Sequence, residues 1–121
     1  MTLVDTCVWI DHARRTDPVL MDLLRTAEAV LHPFVFGELI SGTLGNRGAT
    51  IQILERLPSV PVVRDVEVRH LVESQRLWGL GLGWVDLHLL ASTMIARANL
   101  LTDDRRLAAA ARRLGIGYPI Q

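Results

Sequence analysis

The chain has 121 residues, half of them hydrophobic, and its 13 basic residues, all arginine, balance 13 acidic ones. This length and apolar content predict a single domain spanning residues 1–121. No apolar run approaches the ~20 residues that cross a bilayer, and no secretory leader opens the chain, so we expect a cytoplasmic protein with no membrane partner. The zero net charge excludes long-range attraction of the whole molecule to nucleic acid. The single cysteine excludes an internal disulfide.

Short apolar runs alternate with helical patterns along the chain. The first half predicts a strand at 1–5, a helix at 6–14, a helix that starts at Asp17-Pro18 and runs to 29, a strand at 30–32, and helices at 33–44 and about 49–57. The second half predicts a strand at 60–63, a helix capped by Asp65 and reaching about 78, a helix at 84–98, a strand at 99–101, a helix at 104–114 and a final strand in 116–120. This alternation predicts an α/β fold: a three-layer α/β/α sandwich with a central, mainly parallel sheet.

Four acidic residues occupy positions where a strand ends or a helix begins. They are Asp5, Glu38, Asp86 and Asp104. Because an open α/β sheet gathers its ligand site at such positions, we expect these side chains to meet. Clustered carboxylates bind hard divalent cations through oxygen, and no H-x-x-x-H or C-x-x-C pair competes with them. The pattern predicts a metal-dependent nuclease.

Each of these acids also has a purely structural interpretation. An aspartate in the first turn of a helix, such as Asp86 or Asp104, is by itself more often a cap. Asp5 instead ends an apolar strand, and Glu38 has the apolar neighbours Phe36, Leu39 and Ile40, where an unpaired charge is costly. The combination therefore favours a site over four separate caps.

Four segments, LVDTCVWID, FGELISG, GWVDLHLLAS and LLTDDRRL, resemble the PIN-domain ribonucleases, and among them the VapC-type toxins of bacterial toxin-antitoxin modules. The resemblance covers essentially the whole chain and matches the order and spacing of all four acids. It implies that Asp5, Glu38, Asp86 and Asp104 surround Mg²⁺, with Mn²⁺ possible, and support hydrolysis of an RNA phosphodiester. It also implies a cognate antitoxin partner and a homodimer.

Neighbouring residues receive secondary roles in this interpretation. We expect Asp5 and Asp86 to contact the ion directly, and Thr6 and Thr102 to orient carboxylates or water by hydrogen bonds. Asp103 adjoins Asp104, and either residue could supply the fourth acid of the site. Asp104 fits the family spacing, which leaves Asp103 as a second-shell residue or helix cap. The family commonly has serine or threonine where this chain has Cys7, and a thiol is a poor ligand for a hard cation. The sequence does not decide between one ion and two.

Other interpretations of the same residues stay open. A response-regulator receiver domain has a similar acidic pocket but uses a lysine, which this chain lacks. A haloacid-dehalogenase-like phosphatase needs an aspartate where Cys7 stands. The main alternative is a catalytically inactive PIN-like module that binds RNA or protein.

Two aromatic residues and one loop beside Asp86 add to the prediction. His88 is expected to be packed or on the surface, not a ligand. For Trp84, core packing is favoured over stacking on an RNA base. The GLGLG segment at 79–83 joins helix to helix, so it is not a dinucleotide fingerprint and indicates flexibility beside the site.

Overall fold

The computed structural model describes residues 1–119. Within these residues, three strands and seven helices follow one another along the chain. They are β1 (Thr2–Val4), α1 (Thr6–Arg14), α2 (Pro18–Arg25), β2 (Ala29–Val30), α3 (Pro33–Ser41), α4 (Arg47–Glu55), α5 (Asp65–Gln75), α6 (Trp84–Ala96), β3 (Asn99–Leu101) and α7 (Arg105–Arg113).

The sheet has the order β2-β1-β3, and both strand pairs are parallel. β1 is therefore the central strand, and all three of its residues are buried. It pairs with β2 from Thr2 opposite Ala29, and with β3 from Thr2 opposite Asn99 to Val4 opposite Leu101. Because the strands are parallel, β1 and β3 have their carboxyl ends on the same side of the sheet, and the predicted acids lie on that side.

Helices cover this sheet and pack on one another. α1 contacts α2 and α3, α3 contacts α4, and α5 packs on α6, while α6 and α7 both contact β3. The core between them is aliphatic, with Leu3, Leu89 and Leu107 fully buried, and Trp9 is only 1% exposed. This arrangement confirms the predicted α/β/α class with a parallel central sheet. No helix within residues 1–119 has both the length and the apolar character to cross a bilayer.

A buried polar chain ties α3 and α6 to the segment after α4. The Nδ1 atom of His32 accepts a hydrogen bond from the Phe34 backbone N–H, at 2.9 Å, and so caps α3. The ring hydrogen is therefore on Nε2, which lies 3.1 Å from the Ser92 hydroxyl, and that hydroxyl donates to the Pro61 carbonyl. His32 and Ser92 are both 0% exposed, so the chain satisfies polar atoms that water cannot reach.

Two of the predicted strands do not form extended ladders in the structure. The segment 60–63 is not a strand, and the only pairing there is one bridge between Leu31 and Ser59. Pro58 and Pro61 flank this point, and a proline has no N–H to donate to a ladder. At the C-terminus, one bridge joins Leu100 to Gly117, while residue 120 of the predicted strand lies outside the described residues.

Helix ends also differ from the prediction. Asp65 is the first residue of α5, not its cap; the cap position belongs to Arg64 and makes no side-chain bond. The Asp65 carboxylate instead lies 3.1 Å from the buried His88 ring. The predicted helix to residue 29 ends at Arg25, because Ala27 adopts a left-handed backbone with φ of 57° that turns the chain into β2.

Candidate functional site

Asp5 stands at the centre of the site, directly after β1. It is 9% exposed and caps α1, accepting a hydrogen bond from the Thr6 backbone N–H on Oδ1, at 2.8 Å. Its Oδ2 accepts from the Thr102 hydroxyl at 2.7 Å and contacts the Cys7 sulfur at 3.5 Å. A carboxylate has about four acceptor positions, so these three contacts hold Asp5 firmly and leave Oδ1 with an acceptor position for a further partner.

Thr6 connects Asp5 to Glu38. Its backbone N–H donates to Asp5, and its hydroxyl donates to Glu38 Oε1 at 2.8 Å. Glu38 lies on α3, whose packing on α1 brings the two residues together across 32 positions of sequence. The hydrogen bond orients the glutamate and leaves its second oxygen, Oε2, without a protein partner among the described residues.

Thr102 connects Asp5 to Asp104 in the same way. Its single hydrogen goes to Asp5 Oδ2, while its oxygen accepts the Asp104 backbone N–H at 3.1 Å. Asp104 then caps α7, since its Oδ1 accepts from Arg106 N and Leu107 N at 2.9 and 3.0 Å. One carboxylate oxygen of Asp104 thus serves the helix, and Oδ2 is left for another partner.

Asp86 lies in the first turn of α6, as the sequence predicted, and its Oδ2 accepts the Gly83 backbone N–H at 2.9 Å. Burial raises the pKa of this carboxyl, the Gly83 hydrogen bond opposes that rise, and the negative charges of Asp5 and Asp104 raise the pKa further. The charges of Asp5 and Asp104 are therefore near enough to Asp86 to disfavour its ionised form.

Asp103 faces another direction. Burial raises its pKa first, followed by the charges of Asp11 and Asp17 and then, more weakly, that of Asp5. The acids with the largest effect on its pKa are therefore Asp11 in α1 and Asp17 before α2, and Asp86 is not among them. The cap of α7 is Asp104, which immediately precedes the first helical N–H groups, so of the two roles left open for Asp103 the helix cap is wrong.

Sequence reasoning missed Asp11 as a neighbour of this region. Its position, two turns into α1 after Asp5, is the signal that was available, because α1 leaves the sheet at the same edge. Cys7, one turn earlier, contacts both Asp5 and Thr102, and burial raises the pKa of its thiol. The thiol is thus a neutral neighbour of the carboxylates.

The GLGLG loop lies beside the same region. Gly79 and Gly81 have φ values of 70° and 77°, in the left-handed range that favours glycine. The Arg106 side chain of α7 lies against Gly81, so closely that a Cβ there would be 2.5 Å from a guanidinium nitrogen. Glycine at 81 therefore allows the start of α7 to approach the loop before α6.

Comparison with known proteins agrees with this geometry. The profile of the PIN domain matches residues 2–113, which include all four acids. The chain belongs to the PIN-domain family. It is 45% identical over 117 residues to Ribonuclease VapC32 of two strains of Mycobacterium tuberculosis, CDC 1551 / Oshkosh and ATCC 25618 / H37Rv, covering 96% of this chain and 94% of each relative. The resemblance to VapC-type PIN ribonucleases is thereby confirmed.

The acids of this PIN domain fit a hydrated hard cation better than a closed cage. Within residues 1–119, no three His, Cys, Asp or Glu side chains lie close enough together to hold a metal ion by themselves. Mg²⁺ usually keeps several waters and needs only one or two carboxylates from the protein. Glu38, Asp86 and Asp104 each use one oxygen for a local hydrogen bond and keep the other, so the donor set suits such an ion.

Proposed function

We propose that this PIN domain is a Mg²⁺- or Mn²⁺-dependent endoribonuclease toxin. The observation that supports this most is the carboxylate set itself: Asp5, Glu38, Asp86 and Asp104 come from four different elements, and Thr6 and Thr102 link three of them by hydrogen bonds. The ribonuclease name of its 45% identical relatives adds to this support.

Each part of the site has a defined task in RNA hydrolysis. When bound, a divalent cation would supply positive charge near the scissile phosphate and would lower the pKa of a coordinated water, which makes that water a better nucleophile. Asp5 and Asp86 hold the cation, and the Thr102 hydroxyl fixes the Asp5 carboxylate so that its remaining acceptor position points in a set direction. Glu38, aimed by Thr6, and Asp104, fixed by its cap, hold water or take its proton. Asp103 remains outside this set.

The biological setting is part of the same proposal. The protein acts in the cytoplasm as a homodimer, and a cognate antitoxin neutralises it. The homodimer and the antitoxin are what membership among the VapC-type toxins implies, and the chain is 45% identical to two proteins named Ribonuclease VapC32. RNA is the substrate, and local groups must attract its phosphates because the chain carries no net charge.

Asp86→Asn is the cleanest test of the metal site. Asparagine keeps an oxygen toward Gly83 N and removes the charge, whereas Asp5→Asn would set an amide nitrogen against donors that now bind both oxygens of Asp5. The pKa of Asp86 is raised, so its ionised form is disfavoured in the fold above pH 4, and the variant should melt at the same or higher temperature without metal. RNA cleavage with Mg²⁺ should fall by orders of magnitude.

Total RNA incubated with purified protein, with Mg²⁺ or with EDTA, and mapped for new 5′ ends provides the readout. Asp22→Asn is the matched control, because Asp22 is an exposed aspartate on α2. It should cleave like the parent. Cleavage by the folded Asp86→Asn protein at the parental rate, or cleavage that EDTA leaves intact, would show that the proposed metal chemistry is wrong.

A further inference from the structure

A groove of about 410 Å³ runs between α5 and α6, on the side of α6 that the carboxylate site does not use. Leu87 forms its buried floor, and its exposed walls include Arg69, His70, Glu73 and Trp84. Trp84 was expected to pack in the core, yet 43% of it is exposed. The groove thus combines an accessible indole with two nitrogen-rich side chains and one carboxylate.

The indole has a rigid support. The Trp84 ring meets the His88 ring in a T-shaped contact, with centroids 4.9 Å apart and planes at 87°. His88 is 1% exposed and is itself held by Phe34, at 4.9 Å, and by the Asp65 carboxylate. An exposed aromatic ring on a fixed base loses little conformational entropy when a flat ligand stacks on it.

Trp84 is also close in sequence to Asp86, one of the acids of the proposed cleavage site. It is the first residue of α6, and Asp86 follows in the same turn. The two side chains point about 200° apart around the helix axis, but both lie at the open N-terminal end of α6. An RNA strand that extends from the carboxylates to Trp84 must pass around α6, which is ~10 Å wide. About three stacked nucleotides cover that distance.

We propose that this groove binds single-stranded RNA next to the cleavage site, with one unstacked base on Trp84 and the adjoining phosphate near Arg69 and His70. The inference rests on the proposed nuclease function and adds a subsite to it. Aromatic stacking beside a cationic group is how proteins bind single strands without reading their sequence. Arg69 and Glu73 carry opposite charges, so stacking on Trp84 supplies most of the binding and Arg69 contributes a contact to one phosphate.

The binding test uses a fluorescein-labelled single-stranded RNA of about 12 nucleotides, within the usual length for such sites, and fluorescence anisotropy in EDTA to prevent cleavage. Trp84→Ala should weaken binding roughly tenfold or more, and Trp84→Phe, which keeps a stacking face, should weaken it much less. Glu73→Gln should tighten binding. Trp78→Ala is the matched control, because Trp78 is 57% exposed but lies outside the groove, and it should bind like the parent.

A second measurement uses the unmodified protein. An abasic nucleotide moved along the same RNA should weaken binding most at one position, and Trp84→Ala should be insensitive to that position. This arm decides the question even if Trp84→Ala does not fold. A flat abasic profile, equal losses for Trp84→Ala and Trp78→Ala, or no detectable RNA binding by the parent would overturn the proposal.

Two further outcomes are separated by the design. If Trp84→Ala changes a dimer into a monomer in light scattering and the parental abasic profile is flat, the groove is an interface between copies, and the subsite is wrong. If Trp84-dependent binding is found but the parent never cleaves RNA with Mg²⁺, the subsite holds and the nuclease proposal fails. If the parent cleaves RNA and Trp84→Ala binds normally, only the subsite fails.

Discussion

In the proposed function Asp104 has two tasks, one structural and one catalytic, that substitution can separate. Its Oδ1 accepts the backbone N–H groups of Arg106 and Leu107, and its Oδ2 is the oxygen proposed to hold water or take its proton. Asn caps helices about as well as Asp, so Asp104→Asn keeps the first task and removes the second charge. Asp104→Ala removes both. Asp103→Asn changes an acid that faces Asp11 and leaves both tasks in place.

The magnitudes follow from these contacts. Loss of a side-chain cap costs about 1 kcal/mol, which in a domain of this size lowers Tm by roughly 4 °C. Asp104→Ala should show that decrease. Asp104→Asn should stay within about 1 °C of the parent, because a weaker helix-dipole interaction is offset by relief of repulsion with Asp86. Both variants should lose cleavage by orders of magnitude, while Asp103→Asn should change it little.

Single-turnover cleavage at saturating Mg²⁺, together with thermal melts of the same samples, measures both quantities. One result would refute the reasoning directly: an Asp104→Asn protein that cleaves normally beside an Asp104→Ala protein that does not. Asp104 would then act only as a cap. A larger loss for Asp103→Asn than for Asp104→Asn would move the fourth acidic position to Asp103.

Two other predictions concern stability. Millimolar Mg²⁺ or Mn²⁺ should raise the Tm of the parent, with a stabilisation of about 2.7 kcal/mol when the ion is at a hundredfold excess over its Kd. The same ions should raise the Tm of Asp86→Asn much less. Equal Tm shifts for the two proteins in calorimetry would contradict a metal site at Asp86. Burial, followed by the nearby His88, lowers the pKa of His32 to about 4, below its ordinary 6.5, so the fold disfavours protonation. The free energy of unfolding should be highest above pH 6.5 and should fall by up to about 1.4 kcal/mol per pH unit as the pH decreases toward 4. In urea titrations, the difference in unfolding free energy between the parent and His32→Asn should show this slope.

The sequence predicted the parts of this fold that local patterns determine. The apolar run before Asp5, the Asp17-Pro18 helix start and the first-turn position of Asp86 were all correct, because each depends on neighbours within one turn. The class of fold followed from the alternation of strands and helices. The segment at 60–63 was wrong because its apolar residues look like a strand, while Pro61 prevents the ladder from forming.

The arrangement of the site depended on contacts that sequence does not show. The four acids were proposed from their types and positions, but the bonds from Thr6 to Glu38 and from Thr102 to Asp5 join residues 32 and 97 positions apart. Nothing local distinguishes Asp103 from Asp104 either, since both precede the same helix. Asp104 becomes the cap because α7 begins at Arg105, where the helix packs on β3.

The same long-range bonds set the order in which this carboxylate site can assemble during synthesis. Asp5 emerges from the ribosome at the start of translation, but its Thr102 partner and the Asp104 that follows are 97 and 99 positions later. β1 also waits for β3 before the sheet is complete. A nascent chain that has not yet reached Thr102 therefore carries three of the four acids without the hydrogen bond that holds Asp5 and without the third strand of the sheet.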